Sequence, residues 1–283
     1  MTRSLLRRPW ILALLALITA AVLIGIKVRS DLTTRVNTMR HAPDPQIAAI
    51  PASFSGLRIA LIGDLHVGED GLPALASLLD DVVAAKPDLV LLLGDYIVQP
   101  LPAARTAALR PRIARHLGQL SGLPHMAALG NYETLSGAGA WLRLLKAEGI
   151  DAGENIVLPV TLPQGTACIR VLGDRWSMRY RYVDFPAACE PALRLAITHD
   201  PGGLFDPRVR GLAFAAHTHC GQIRLPVIGA LWIPSNAPRS ATCGLYRDEQ
   251  REIFVTAGVG TSILPVRFGA PSQWDLITLA TPR

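Results

Sequence analysis

The sequence predicts an α/β domain behind one N-terminal membrane helix. Three observations support this prediction: an uncharged apolar stretch lies near the amino terminus, strands and helices alternate over residues 57–150, and shorter apolar runs separated by Pro and Gly follow from Ile156. Alternating strands and helices are typical of a parallel sheet covered by helices, whereas short runs between turn residues favour antiparallel pairing. We therefore expect two sheets, the second one mainly antiparallel.

The N-terminal segment is the first element. Residues 9–26 carry no charge and follow Arg3, Arg7 and Arg8. As a helix they would span about 27 Å, which is close to the thickness of a bilayer core. We predict a membrane anchor at residues 1–29. A cleaved secretory signal is the alternative, although no small-x-small cleavage site follows, and the arginine pair weakly resembles a twin-arginine export signal.

The flanking charges bear on orientation. The basic residues before the apolar stretch 9–26 favour an amino terminus inside the cell, whereas four basic residues after this stretch favour the opposite: Lys27, Arg29, Arg35 and Arg40. We expect a single-pass protein of the inner (cytoplasmic) membrane with the folded domain on the outer face. Nothing in the sequence indicates the oligomeric state.

The net charge of +6 does not indicate nucleic acid binding. Residues 1–40 hold seven basic residues and one acidic residue, which accounts for the whole excess, so residues 41–283 are neutral with 21 basic and 21 acidic side chains. A surface that binds nucleic acid needs a concentrated positive charge. We therefore expect no nucleic acid partner.

The domain after the anchor begins with a linker. Residues 30–56 contain Pro43, Pro45 and Pro51, and we expect a domain over residues 57–283. Its first strand begins at Leu57. Further elements follow in order: a helix from Asp70 to about Lys86, a strand LVLLL, helices over 103–120 and 138–148, and a short helix near 202–209.

Five apolar runs each end at a residue type that binds divalent metals. Continuous apolar runs are typical of strands buried on both faces, and the loops at their carboxyl ends converge on one crevice. Asp, His and Asn without thiolate favour Mn, Fe, Zn or Mg over a soft metal. The residues are Asp64, Asp95, Asn131, His199, His217 and His219, with His66 close behind Asp64. If the strands stay extended, Asp64 and His66 point the same way, as do His217 and His219.

The order of these motifs resembles the five blocks of the calcineurin-like metallophosphoesterases over most of residues 57–283. The blocks are Asp64-Leu-His66, Gly94-Asp95, Gly130-Asn131-Tyr132-Glu133, Thr198-His199 and Ala216-His217-Thr-His219. The stretches HTHCGQIRLPVIG and GVGTSILPVRFGAPSQWDLITL resemble the bacterial membrane-associated branch, which includes phosphodiesterases and a UDP-diacylglucosamine pyrophosphatase. The resemblance implies a sandwich of two mixed sheets flanked by helices.

The resemblance also implies two divalent ions and their ligands. One ion would be held by Asp64, His66, Asp95 and His219, and the other by Asp95, Asn131, His199 and His217. Such a pair activates a shared hydroxide, which would attack a phosphodiester or pyrophosphate bond. Because the chain has a predicted anchor, we expect a lipid-linked or envelope substrate.

Other positions concern catalysis and substrate. Tyr132 stands where the family usually has His, and a phenol with a pKa of about 10 donates a hydrogen bond but is a poor acid at neutral pH. We expect Asp95, Asn131 and Tyr132 to act in catalysis. Tyr132, Gln222 and Arg224 are candidate substrate contacts, although a surface role suits the last two equally. The alternative function, motivated by Tyr132, is a metal-binding interaction protein with weakened catalysis.

The four cysteines show no motif. Cys168, Cys189, Cys220 and Cys243 lack the Cys-x-x-Cys spacing, so the sequence predicts neither a zinc knuckle nor a redox pair and leaves the compartment open. Cys220 replaces the Gly that commonly follows the last ligand. We expect it to be a buried thiol, since free Cys is among the most buried residue types.

Overall fold

The computed structural model describes Leu17, Thr19, Arg40, His41 and residues 50–280. The predicted anchor at residues 1–29, apart from Leu17 and Thr19, and most of the predicted linker at residues 30–56 lie outside the described residues. Among the residues that are described, no helix has both the length and the apolar character needed to cross a membrane.

Two six-stranded sheets form the centre of the domain. In the first sheet, every pair of neighbouring strands is parallel except one, in which Asp275–Leu279 is antiparallel to Arg58–Ile62. Its strands are, in spatial order, β1 (Arg40–His41), β14 (Asp275–Leu279), β2 (Arg58–Ile62), β3 (Leu89–Leu92), β4 (His125–Ala128) and β5 (Ala152–Gly153).

The second sheet is parallel at its centre and antiparallel at both edges. Its strands are, in spatial order, β12 (Gly244–Arg247), β13 (Arg251–Val255), β9 (Gly211–Ala215), β8 (Leu193–Ile197), β7 (Gly165–Val171) and β6 (Ile156–Leu162). The prediction of a mainly antiparallel sheet was wrong. Only the two edge pairs are hairpins. The long connections after β7 and β8 return the chain to the starting end, and after β9 the edge strand β12 carries it back, so β7, β8, β9 and β13 are parallel.

Four helices lie in the chain segment that builds the first sheet. They are α1 (Leu72–Ala84), α2 (Ala103–Leu117), α3 (Asn131–Leu135) and α4 (Ala138–Ala147). Three of them match the predicted helices with ends displaced by one to three residues. The helix predicted near 202–209 is a 3-10 helix at Pro201–Phe205. A small hairpin lies further along the chain, after β9, and consists of β10 (Arg224–Leu225) and β11 (Gly229–Ala230).

The two largest parts of the core lie on the two faces of the first sheet. Ile59 and Leu61 of β2 pack into the layer between the sheets, and Ala60 and Ile62 pack into the layer against the helices. Because β2 is apolar on both faces, it lies between the two layers. Each fully buried Leu or Ile contributes about 1.5–3 kcal/mol. The sandwich of two mixed sheets that the resemblance implied is therefore confirmed.

The cysteines form two disulfides, Cys168–Cys189 and Cys220–Cys243, and none of the four is free. The prediction of a free thiol at Cys220 was wrong, although the residue is buried as expected. The paired residues are 21 and 23 positions apart. Such separations carry no spacing signal, since pairing depends on the fold bringing the two Cα atoms within about 7 Å.

Candidate metal centre

The candidate ligands lie where the strands end and the chain turns sharply. Asp64, His66, Asp95, His217 and His219 all have left-handed backbone conformations, with φ between 44° and 68°. The strands therefore do not stay extended through these pairs, so the same-side argument from strand geometry does not apply. A residue other than Gly in this region costs about 1 kcal/mol or more. Five such residues in one place indicate that the position of the side chains, rather than local stability, determines the conformation.

Two glycines allow the loops after β3 and β4 to touch. Gly94 has φ of 88°, and a Cβ there would lie 2.5 Å from the backbone nitrogen of Gly130. A Cβ on Gly130 would lie 2.2 Å from Oδ1 of Asp95. Any larger residue would push the two loops apart, so the glycines before Asp95 and Asn131 set the spacing of these candidate ligands.

The first group of candidate ligands consists of Asp64, His66 and His219. Their ligand atoms lie within 4.8 Å of one another, and all three residues are buried. Nε2 of His66 lies 3.0 Å from Nε2 of His219, and the two rings are stacked. Three residues from the loops after β2 and β9 thus surround one point at the carboxyl ends of these two strands.

The second group consists of Asp95, His199 and His217, whose ligand atoms also lie within 4.8 Å of one another. Nε2 of His199 lies 3.2 Å from Oδ2 of Asp95, 3.2 Å from Oδ1 of Asn131 and 3.1 Å from Nδ1 of His217.

Asp95 lies between the two groups. Its Oδ2 is 3.2 Å from Nε2 of His199 and 3.7 Å from Nε2 of His66. The structure therefore brings all seven predicted ligands together, and the Asp95 carboxylate lies near nitrogen atoms of both groups.

The chemistry of these side chains fits divalent metal ions. Burial raises the pKa of Asp64 to about 7 and lowers that of His66 to about 4, since desolvation penalises both charged forms. Oδ2 of Asp64 is buried without a hydrogen-bond partner. An uncompensated buried carboxylate is costly, and neutral imidazole is the form of His that binds metal. A divalent cation would compensate both features, so the donor set suits a hard or borderline metal.

Neighbouring groups orient the candidate ligands. Nδ1 of His199 lies 2.7 Å from the carbonyl oxygen of Leu93. When Nδ1 carries the proton and donates to this oxygen, the lone pair of Nε2 is available to coordinate a cation. The backbone N–H of His217 donates to Oδ1 of Asp64 over 3.0 Å. Hydrogen bonds of this kind fix ring and carboxylate orientation before any ion binds.

Glu133 is a supporting residue that the sequence analysis did not single out. Its buried carboxylate accepts the backbone N–H groups of Asp95, Tyr96 and Gly130 over 2.7–2.9 Å. Burial, followed by the charge of Asp95, raises its pKa to about 7. It joins the loops after β3 and β4. Its position in the Gly-Asn-Tyr-Glu block was the signal available in the sequence.

Arg267 is a second supporting residue that the sequence analysis missed. Its side chain is buried, and Nη2 lies 2.9 Å from Nδ1 of His219 and donates to the carbonyl oxygen of Ala257 over 2.9 Å. Burial lowers its pKa to about 10, so the guanidinium stays charged at neutral pH. Arg267 lies in the stretch GVGTSILPVRFGAPSQWDLITL quoted for the family resemblance, but 48 positions separate it from His219, so the sequence did not indicate their contact.

The predicted substrate contacts have different surroundings. Tyr132 packs its ring edge against His66, and its hydroxyl lies 2.9 Å from Oγ of Ser262. The side-chain amide of Gln222 accepts the N–H of Ser262 and donates to the carbonyl oxygens of Ser262 and Leu264. Gln222 therefore braces a loop.

Arg224 makes a longer contact, donating from Nη1 to the carbonyl oxygen of Cys220 over 3.4 Å. Tyr132 and Gln222 line the cavity above the metal ligands, and Arg224 is not among its lining residues.

A cavity of about 400 Å³ opens above the two groups. Its floor includes Asp95, Asn131, His217 and His219. Its walls are largely apolar: Trp176, Ile223, Leu231, Trp232, Ile263 and Leu264. The Trp176 ring lies 5.6 Å from that of His217, so apolar surface reaches the candidate ligands directly.

Comparison with known proteins finds a family model that matches part of the chain. Residues 57–184 match the family model described as calcineurin-like phosphoesterase. This chain carries a calcineurin-like metallophosphoesterase domain. The resemblance seen in the sequence is thereby confirmed, and the two candidate metal-binding groups agree with it.

Three relatives of this metallophosphoesterase chain are informative. The "Transmembrane protein with metallophosphoesterase domain" of Danio rerio is 28% identical, and the match covers 82% of this chain and 55% of that protein. The "Uncharacterized metallophosphoesterase YkuE" of Bacillus subtilis is 27% identical, with 81% of each chain covered. "Phosphodiesterase YaeI" of Escherichia coli is 29% identical over 76% of this chain and 80% of that one. The chain thus spans about half the length of the zebrafish relative.

Proposed function

We propose that the protein is a two-metal phosphoesterase that hydrolyses a phosphodiester or pyrophosphate bond. One observation carries the proposal: Oδ2 of Asp95 lies within 3.7 Å of donor atoms from both candidate groups, at the floor of an open cavity. A shared carboxylate would hold two ions close together, and such a pair stabilises the attacking and leaving oxygens of an in-line displacement at phosphorus.

The residues of the site have distinct roles in this proposal. When bound, two divalent ions would lower the pKa of a shared water and neutralise phosphate charge. Asn131 offers a neutral oxygen, which limits the negative charge facing an anionic substrate. Tyr132 stays protonated, because burial raises its pKa, so its hydroxyl would donate a hydrogen bond to a phosphate bound in the cavity that Tyr132 lines. Lacking a strong acid, the site suits an aryl ester or pyrophosphate leaving group.

The apolar walls support a lipid-linked or envelope substrate. The phosphate group would lie against the ligands on the floor, while Trp232 and Leu231 contact an apolar portion. Ligand sites commonly combine apolar walls with a few polar groups that fix orientation. The predicted anchor at residues 1–29 would confine the protein to the surface where such substrates are concentrated.

The two disulfides support a location outside the cytoplasm. Disulfides persist in oxidising compartments and are rare in the cytosol. They favour the expected position of the domain on the outer face of the inner membrane. In that position, a cytoplasmic nucleotide-lipid such as UDP-diacylglucosamine is excluded as substrate.

Assay of the purified full chain tests the proposal. With an aryl phosphodiester and Mn²⁺, we expect turnover that a chelator abolishes and that Asp95→Asn lowers at least about 100-fold. Asp80→Asn, which changes an exposed carboxylate on α1, is the matched control and should retain full turnover. Turnover that survives Asp95→Asn or thorough chelation would contradict the proposed mechanism.

A further inference from the structure

Exposed large apolar side chains concentrate around the mouth of the cavity. Of the fourteen such residues in the part of the chain that the structure describes, nine lie in residues 176–178, 227–232 and 263–268. We call six of them the apolar collar: Trp176, Val227, Ile228, Trp232, Ile263 and Leu264. Scattered exposed apolar residues are ordinary, whereas a contiguous patch beside a site indicates an interaction surface.

The three segments form one surface although they are distant in sequence. Gln222 binds the backbone of Ser262 and Leu264, and Ile223 pairs with Phe268. These bonds hold the base of the β10–β11 hairpin against the loop that carries Ile263. The hairpin base and that loop therefore lie side by side, and Trp176, Trp232 and Ile263, one from each segment, line the same cavity.

Two exposed collar residues have an unfavourable backbone conformation. Val227 has φ of 67° and Ile263 has φ of 63°. β-branched residues rarely occupy the left-handed region, where Gly or Asn is ordinary. Their side chains are 107% and 80% exposed. In a turn exposed only to water, Gly or Asn would be more stable at these positions. The exposed Val and Ile side chains therefore indicate a contact with a partner outside the chain.

The charge around the collar favours an anionic partner. Residues 217–247 and 253–274 contain no Asp or Glu, and the first segment contains Arg224 and the exposed Arg239. Arg247 pairs with Glu252 and Arg267 is buried, so these two do not add to the surface charge. The domain as a whole is neutral, so the exclusion of acidic residues is local to these segments. Apolar tips surrounded by basic residues complement a bilayer surface with anionic headgroups.

We propose that the apolar collar docks on an anionic lipid bilayer. Val227, Ile228 and Ile263 enter the boundary between headgroups and acyl chains, Trp176 and Trp232 lie at the interface, and the cavity opens toward the headgroups. The inference deepens the proposed function, on which it rests for the nature of the substrate. Docking itself is measured without turnover, so the two proposals fail separately.

Depth-dependent quenching of tryptophan emission tests the docking. The full chain with Trp10→Phe is placed in liposomes of phosphatidylcholine and phosphatidylglycerol, with plain or brominated acyl chains. Brominated chains should quench the emission of Trp176 and Trp232, whereas Trp141 and Trp274 are buried in the protein and should not respond. Adding Trp176→Phe and Trp232→Phe should remove the quenching. Equal emission in plain and brominated lipids would overturn the proposal.

Substitution at the hairpin tip separates docking from the anchor and from catalysis. Val227→Asp with Ile228→Asp should abolish the quenching and leave turnover of a water-soluble aryl phosphodiester unchanged. Val83→Asp, at an exposed apolar position on α1, should change neither measurement. If a second copy of the chain covers the collar instead, quenching is absent and sedimentation shows a dimer that the tip substitutions dissociate; that result also overturns the proposal.

Discussion

At the scale of single residues, Tyr132 decides which esters the site can cleave. Its hydroxyl donates a hydrogen bond but is a weak acid, so a poor leaving group receives little help. Tyr132→Phe should lower turnover by about tenfold, and by more for an alkyl than for an aryl phosphodiester. Tyr132→His should reduce the difference in turnover between the alkyl and the aryl phosphodiester. Steady-state kinetics on the two esters measure both effects, with Tyr246→Phe as a control outside the site.

The Tyr132 variants also test the alternative function. A metal-binding interaction protein would bind Mn²⁺ yet turn over neither ester, and Tyr132→His would create activity. Full alkyl-ester turnover in Tyr132→Phe would instead show that the hydroxyl has no part in the reaction.

A second residue-scale prediction concerns acid stability. The Arg208 guanidinium beside Asp206 holds the pKa of that carboxyl well below its usual 3.8, and the Tyr180 hydroxyl donates to it over 2.8 Å. A carboxyl whose pKa is lower in the folded than in the unfolded state stabilises the fold at pH values above the unfolded pKa. This stabilisation is lost as the pH falls toward the pKa of the folded state. Asp206→Asn should therefore make the free energy of unfolding fall less steeply below about pH 5.

Urea unfolding at several pH values measures this acid dependence. Asp80→Asn, which changes an exposed carboxylate on α1, should follow the unsubstituted protein. An unchanged acid slope in Asp206→Asn would show that the ion pair does not contribute to stability.

At the scale of elements, Glu133 joins the strand ends that carry Asp95 and Asn131. Glu133→Gln keeps the size of the side chain but replaces one accepting oxygen with a donor that faces backbone N–H groups. We expect a loss of about 1–3 kcal/mol in the free energy of unfolding and a 10- to 100-fold weaker affinity for Mn²⁺. Denaturant unfolding and titration calorimetry measure these, with exposed Glu190→Gln as control. Unchanged Mn²⁺ affinity would show that Glu133 serves only the fold.

Local patterns explain which elements the sequence could predict. Strand β2 and the ligand after it were predictable, because an apolar run buried on both faces and ended by Gly-Asp is visible in a few residues. The direction of β8 and β9 was not predictable, since it depends on the end of the sheet to which a long loop returns. The left-handed turns at Asp64 and His217 were missed for a related reason: they follow from contacts between loops.

At the scale of the whole molecule, the two disulfides provide a matched pair. They close loops of similar length, with separations of 21 and 23 residues. Removing either should cost about 3 kcal/mol of stability in the chain-entropy description. Only Cys220–Cys243 lies beside the site, because Cys220 follows His219 directly and Thr218 donates to the backbone oxygen of Thr242.

The two disulfide variants should therefore differ in metal binding although they are similarly destabilised. Cys220→Ala with Cys243→Ala loosens the turn that carries His219, so the affinity for Mn²⁺ should fall by at least about tenfold. Cys168→Ala with Cys189→Ala removes a bridge between β7 and the loop before β8, and it should leave that affinity unchanged. Titration calorimetry below the unfolding temperature of both variants measures the difference. Equal losses of affinity would mean that the disulfides act through global stability alone, and the bridge beside His219 would then have no specific part in positioning the metal site.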